Sequence, residues 1–163
     1  MRLSVKIKKN IVPLLILKRK LREIGRQKVD IGFFSNSQYG PENGSLPVAQ
    51  VAWWQEKGTK QRGQMHIPSR PFMTTTINAV RRGKSPKLKQ ALLSSIAHVL
   101  FRQAPYATLG KAGDAVKEEM VRQIEIWSMP ANRPSTISKK GRNDPLIDTG
   151  FMQQCVAFRV RRR

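Results

Sequence analysis

Asp144-Pro-Leu-Ile-Asp-Thr-Gly-Phe-Met-Gln-Gln-Cys-Val-Ala-Phe158 is the stretch around which the chain is organised. It reads as a sharp turn, a short capped helix and a final strand. Asp148 or Thr149 can cap the backbone donors at the start of a helical turn. Gly150 permits a close chain approach, and Phe151 and Met152 supply a buried face. From Val156 onward the pattern alternates, with Val156, Phe158 and Val160 on one face and Ala157, Arg159 and Arg161 on the other. That is the period-two signature of a half-buried strand. The stretch holds neither an activatable nucleophile nor paired acids. Pro145, Leu146, Ile147, Asp148, Thr149 and Gly150 therefore read as a structural clasp rather than a catalytic motif.

Upstream of the clasp the apolar spacing changes from strand to helix several times. Leu3, Val5 and Ile7 alternate with polar residues and predict a short first strand. A helix follows with Asn10 as cap and Pro13 in its first turn; Leu14, Leu17, Leu21 and Ile24 share a face and Gly25 stops it. Lys28 to Phe34 reads as a second strand. The Gly/Pro-rich segment 35–47 reads as a flexible surface loop. Pro47 opens a helix over Val48–Lys57, with Val48, Val51, Ala52 and one of Trp53 and Trp54 inward, and Gly58 ends it. Gly58 to Pro71 reads as a turn-rich connection whose prolines force an extended path. Helices are predicted from Phe72 to about Val80, along Leu88, Leu92, Ile96, Val99 and Leu100, and, after Pro105, along Leu109, Ala112, Val116, Met120, Ile124 and Trp127. Pro130 and Pro134 break the chain before a short basic helical turn that ends at Gly141. The expected class is α+β: a small mixed or antiparallel sheet packed against several helices, with one extended loop.

The 163 residues suit a single domain, 1–163, ending in a basic segment, 159–163. Lys and Arg number 31 against 10 Asp and Glu, a net charge of +21. A surface so charged repels itself and belongs beside an anionic partner, nucleic acid or an acidic protein. The basic residues recur along the chain at Lys18-Arg19-Lys20, Arg81-Arg82, Lys84, Lys87, Lys89, Lys139-Lys140, Arg142 and Arg159 to Arg163. No recognition helix or RNA-binding aromatic pair accompanies them, so phosphate contact would be non-specific and salt-sensitive. Cys155, the single cysteine, excludes an internal disulfide and a cysteine-rich zinc site and reads as a small buried hydrophobe. The apolar run after the basic N-terminus is short, is followed at once by Lys18 to Lys20, and carries no small-residue cleavage site. No run approaches the length of a membrane span. The expectation is an intracellular protein with no membrane partner.

Catalysis has little to stand on. His66 and His98 lie far apart with no ligand-spaced carboxylate or cysteine, whereas zinc needs several clustered ligands. Glu118 and Glu119 read as solvated or paired with Lys117 and Arg122. Asp144 and Asp148 are better explained by turn chemistry than by metal binding. Neither a phosphate-binding loop nor a dinucleotide fingerprint is present. No catalytic residue, cofactor or metal is expected.

Two regions carry a resemblance. Glu56-Lys-Gly-Thr59, followed by Met65-His-Ile-Pro-Ser-Arg-Pro-Phe72, resembles the "E-x-G-T … I-P-x-R-P-F" signature of tail completion or neck proteins of tailed bacteriophages, the group that includes the minor tail protein Z type. Asn143-Asp-Pro-Leu-Ile-Asp-Thr-Gly150 looks like the "P-L-I-D-T-G" segment that in this family precedes a short helix and a last strand. Pro134-Ser-Thr-Ile137 fits the stretch that leads into it. The chain departs from the family in placing Phe151 after the glycine, where an Arg is usual. The resemblance implies a small α+β virion subunit, assembled in the host cytoplasm into a homo-oligomeric, sixfold-related ring at the head-proximal end of a tail. Its partners would be the tail terminator or tail tube protein, the head connector or stopper, and packaged double-stranded DNA contacted non-specifically. Partner contact would fall on Glu56, Gly58, Thr59, His66, Ile67, Pro68, Arg70, Pro71 and Phe72. Arg159, Arg161, Arg162 and Arg163 would face the DNA or the lumen. The charge alone favours a competing class, a non-specific nucleic-acid-binding protein of ribosomal or nucleoid type.

Overall fold

The computed structural model describes residues 12–34, 36–101 and 108–162. The elements run α1 (Val12–Gly25), β1 (Gln27–Gly32), a 3₁₀ turn (Pro41–Asn43), α2 (Val48–Lys57), β2 (Thr59–Gln61), β3 (Gln64–Ile67), α3 (Phe72–Arg81), α4 (Pro86–Phe101), α5 (Thr108–Glu125), α6 (Pro134–Lys140), α7 (Phe151–Gln154) and β4 (Ala157–Arg162). This is the expected α+β class. The expected first strand, the Asn10 cap, Pro105, Arg163 and the side chain of His98 lie outside the described residues.

Among the described residues the strands form two separate antiparallel ribbons. In one, β1 pairs with β4, setting Gln27 opposite Arg162, Val29 opposite Val160, Ile31 opposite Phe158 and Gly32 opposite Ala157. The other is the hairpin β2–β3. Helix α5 lies against both strands of the first ribbon and against α3 and α4. It buries Ala112, Ala115, Met120 and Ile124 on one face. Gly113 is what brings β4 so close. A Cβ there would fall 2.6 Å from Cε2 and 2.8 Å from Cγ of Phe158.

The core joins Val48 and Ala52 of α2, Phe72 of α3, Met120 and Ile124 of α5, and Leu146, Met152 and Val156 of the clasp and its continuation. Phe33 meets Phe72 edge-on at 6.2 Å, and Tyr39 packs on Phe151 at 5.3 Å. Each such fully buried apolar side chain stabilises the fold by about 1.5–3 kcal/mol. The clasp thus closes the core with Pro145, Leu146 and Met152 from the chain's own last quarter.

Several local expectations are corrected. Segment 36–47 carries structure of its own: Gln38 bridges Pro47, and the amide of Tyr39 donates to Leu46 O at 2.9 Å. The amide of Val48 returns to Ser37 O at 3.0 Å. The connection 58–71 contains the β2–β3 hairpin, turned at Arg62 and Gly63, both at positive φ. Gly150 serves by its φ of +80° and not by close approach, since a Cβ there would meet only Gln153 Oε1 at 3.4 Å. Of the expected caps, Thr149 Oγ1 does accept from the amide of Phe151, at 3.3 Å. Val160 is exposed, as is the rest of the distal half of β4. Leu14 and Leu21 face outward on α1. On α4 the inward stripe is Leu88, Ala91 and Ser95, not Leu88, Leu92 and Ile96. Of the tryptophans, Trp54 is half-buried and Trp53 faces out beneath Lys57 Nζ.

Candidate functional site

The segments Glu56–Thr59 and Met65–Phe72 meet at the start of α3. That helix begins with Phe72 directly after Pro71, and the proline at the cap position supplies no capping side chain. Glu56, at the end of α2, supplies the cap from outside. Its Oε2 accepts from the amide of Met73 at 2.9 Å. Its Oε1 accepts from the amide of Thr74 at 3.0 Å and from Thr74 Oγ1 at 2.6 Å. A carboxylate there satisfies orphan donors and complements the positive end of the helix dipole. The backbone carbonyl of Glu56 also accepts from Ser69 Oγ at 2.8 Å. Gly58, at φ +73°, lets the strand return over it. A Cβ at Gly58 would lie 2.8 Å from Ile67 O and 2.9 Å from Ser69 N.

Arg70 is 3% exposed and works as a staple. Its Nη1 donates to Gln55 Oε1 at 2.6 Å, and Nε donates to Pro130 O at 3.0 Å. Its Nη2 reaches Ala131 O at 3.2 Å and Asn132 Oδ1 at 3.3 Å. Burial pushes the guanidinium pKa below its ordinary value; among the described residues its hydrogen-bond partners are neutral acceptors, so the charge there is hydrogen-bonded rather than ion-paired. The amide of Asn132 donates in turn to Asn143 Oδ1 at 3.0 Å. The first motif is thereby tied to the clasp through residues 130–132.

The clasp is held by two basic side chains. Lys140 Nζ donates to Asp144 O at 2.8 Å and to Ile147 O, and burial holds its pKa below the ordinary lysine value. Arg142 Nη2 donates to Asp148 O at 2.5 Å, while its Nε lies 3.3 Å from Asp144 Oδ2. Asp144 and Asp148 thus act as turn residues. A groove of 320 Å³ opens beside them, between Tyr39, Val51, Lys140, Ile147 and Phe151.

Glu56, Arg70 and Phe72 are buried and unavailable to a partner, which corrects their place among contact residues. Gly58, Thr59, Ile67 and Pro68 are half-buried, and His66 and Pro71 are exposed. The surface that this region does offer is the hairpin tip Lys60, Gln61, Arg62 and Gly63. Sequence reading missed it because its turn is Arg-Gly, not Asn-Gly or Asp-Gly, and its strands are too polar to alternate.

On the β1–β4 ribbon, Lys28, Asp30, Arg159 and Arg161 share the face away from Phe158. Asp30 pairs with Arg161 and, at 3.4 Å, with Lys28. Partial burial raises the Asp30 pKa, but hydrogen bonds from Arg161 and Lys28 outweigh it and hold the carboxyl below its ordinary value. The Arg159 guanidinium stacks 3.9 Å over the Phe34 ring. The arginines are therefore oriented rather than loose. Elsewhere, Glu119 takes Arg122 at 2.5 Å, whereas Glu118 takes Lys87 of α4 at 2.6 Å instead of Lys117. Among the described residues no group of three or more His, Cys, Asp or Glu could hold a metal, and no helix is long and apolar enough to cross a membrane. Comparison of the chain with protein-family models, with characterised proteins and with solved structures finds no match.

Proposed function

We propose that this protein is a structural subunit of a tailed-phage virion, acting by assembly and not by catalysis. It forms a homo-oligomeric ring at the head–tail junction, between the tail terminator or tube and the head connector or stopper, with double-stranded DNA crossing the bore. The observation that carries the reading is that the separate motif segments form one physical unit. Glu56 caps the helix that Phe72 begins, Gly58 lies under Ile67 to Ser69, and Arg70 reaches the segment bonded to Asn143 at the clasp. Segments that the resemblance marks out separately thus support one another in the fold, as parts of a shared scaffold would. The charge of +21 suits a subunit that keeps apart from its copies until an anionic surface offsets the repulsion.

Electron microscopy of lysates from the phage carrying a stop codon at Trp53 tests the role. Full heads beside separate or malformed tails are expected, and normal infectious particles would refute it. The exposed Trp53 and the net charge favour a second reading, a non-specific nucleic-acid-binding protein. Tight duplex or RNA binding by the isolated protein at about 0.15 M salt distinguishes it, because a tail protein that meets DNA only inside a ring binds weakly under those conditions.

A further inference from the structure

Helices α1 and α4 touch one another, and both turn aliphatic side chains to solvent. On α1, Leu14 and Leu15 are 62% and 60% exposed, and Leu21 is exposed beside them. At 100° per residue these leucines share the outward face with Lys18, Arg19 and Arg22. On α4, Leu93 is 58% exposed, and Leu92 and Ile96 flank it on the stripe that also carries Lys89. Scattered exposed leucines need no explanation, but this set lies on two adjoining helices and is interleaved with cations.

We infer that the α1–α4 face docks an acidic protein surface, one that presents an apolar ridge flanked by carboxylates. The charge pattern selects this occupant over the others. A second copy of the chain would bring Lys18, Arg19 and Arg22 against their equals, a repulsive contact. A membrane-surface helix segregates its apolar and basic faces, whereas here insertion deep enough to bury Leu14, Leu15 and Leu21 would bury the cations between them. Nucleic acid stacks its bases on aromatic rings, and this face carries aliphatic residues. An acidic protein surface answers both components at once: its apolar ridge covers the leucines and its carboxylates meet the interleaved cations. The face stands independently of the head–tail reading.

The test titrates the full-length protein with a synthetic helical peptide whose leucine ridge is flanked by glutamates. The same peptide with lysines for glutamates, and vesicles of phosphatidylcholine and phosphatidylserine, are titrated alongside, and sedimentation follows self-association. The acidic peptide is expected to bind at least about tenfold tighter than its lysine counterpart, and more weakly as salt rises. The double variant Leu93→Glu, Ile96→Glu is expected to lose at least about tenfold of that affinity. Leu15→Glu, on the other helix, is expected to weaken binding too, so that a local defect in α4 cannot mimic the result; far-UV circular dichroism verifies that each variant is folded. Unchanged peptide affinity in both variants overturns the inference. So does vesicle binding without peptide binding, or a self-associated species that these substitutions dissolve. Any of these outcomes leaves the microscopy of the head–tail junction to be decided on its own.

Discussion

Replacing Glu56 with alanine should destabilise the protein more than any other acid-to-alanine change among the described residues. Glu56 is 4% exposed and caps α3 through the amides of Met73 and Thr74 and the hydroxyl of Thr74. Loss of a helix cap costs about 0.5–2 kcal/mol. Buried donors left without an acceptor cost about 1–3 kcal/mol each, although the Thr74 hydroxyl can rotate to a new partner. Partial relaxation of the helix start lowers the sum, giving an expected loss of about 3 kcal/mol. For a chain of this size that is a fall in Tm of about 6–12 °C. Chemical denaturation followed by circular dichroism measures it, with Glu118→Gln as the control. Glu118 is also an ion-paired acid, but an exposed one, and its loss should cost at most about 1 kcal/mol. Since both substitutions remove one negative charge from a strongly cationic chain, their difference isolates the cap. Stability of Glu56→Ala within about 0.5 kcal/mol of the control would refute the capping argument.

Arg70→Met should cost about 3 kcal/mol by orphaning Gln55 and the carbonyls of Pro130 and Ala131, and limited proteolysis should show new cleavage in 126–133. An unchanged digestion pattern would mean that Arg70 does not hold that segment. Gly58→Ala should cost about 2–4 kcal/mol in denaturation experiments, because its φ of +73° is strained for alanine and the new Cβ meets backbone atoms that cannot yield. Gly113→Ala should cost about 1–3 kcal/mol, and its combination with Phe158→Leu should cost less than the sum of the two, the sign that they share one contact. Asp30 supplies a pH test. Its folded pKa is lowered, so its stabilisation is complete above the ordinary carboxylate value of 3.8 and is lost as pH falls through the lowered one. Amide signals of Val29 and Val160 should hold steady down to about pH 4 and move below it, and in Asp30→Asn that movement should vanish.

Much of the backbone was legible in the sequence because its punctuation is strong. Pro47 and Gly58 bracket α2 at its observed ends, Gly141 ends α6 in the left-handed conformation, and the spacing of Ala112, Met120 and Ile124 marks the buried face of α5. Local chemistry decides such features: a proline fixes φ, a glycine admits positive φ, and a repeated apolar residue sets a face. The clasp was readable for the same reason, as turn residues followed by alternation.

Tertiary structure decided what each marked residue does. Nothing in the spacing of Glu56 and Thr74 says that one caps the other, since a cap donated from a neighbouring helix leaves no local pattern. Arg70 is an exposed type by composition and a buried staple in the fold, because carbonyl acceptors from a segment 60 residues away converge on it. Helical periodicity points to Leu88, Leu92 and Ile96 as the inward stripe of α4, because it is the more apolar, yet Leu88, Ala91 and Ser95 are the more buried. Only the packing of α5 against α4 settles which stripe is covered and which faces solvent.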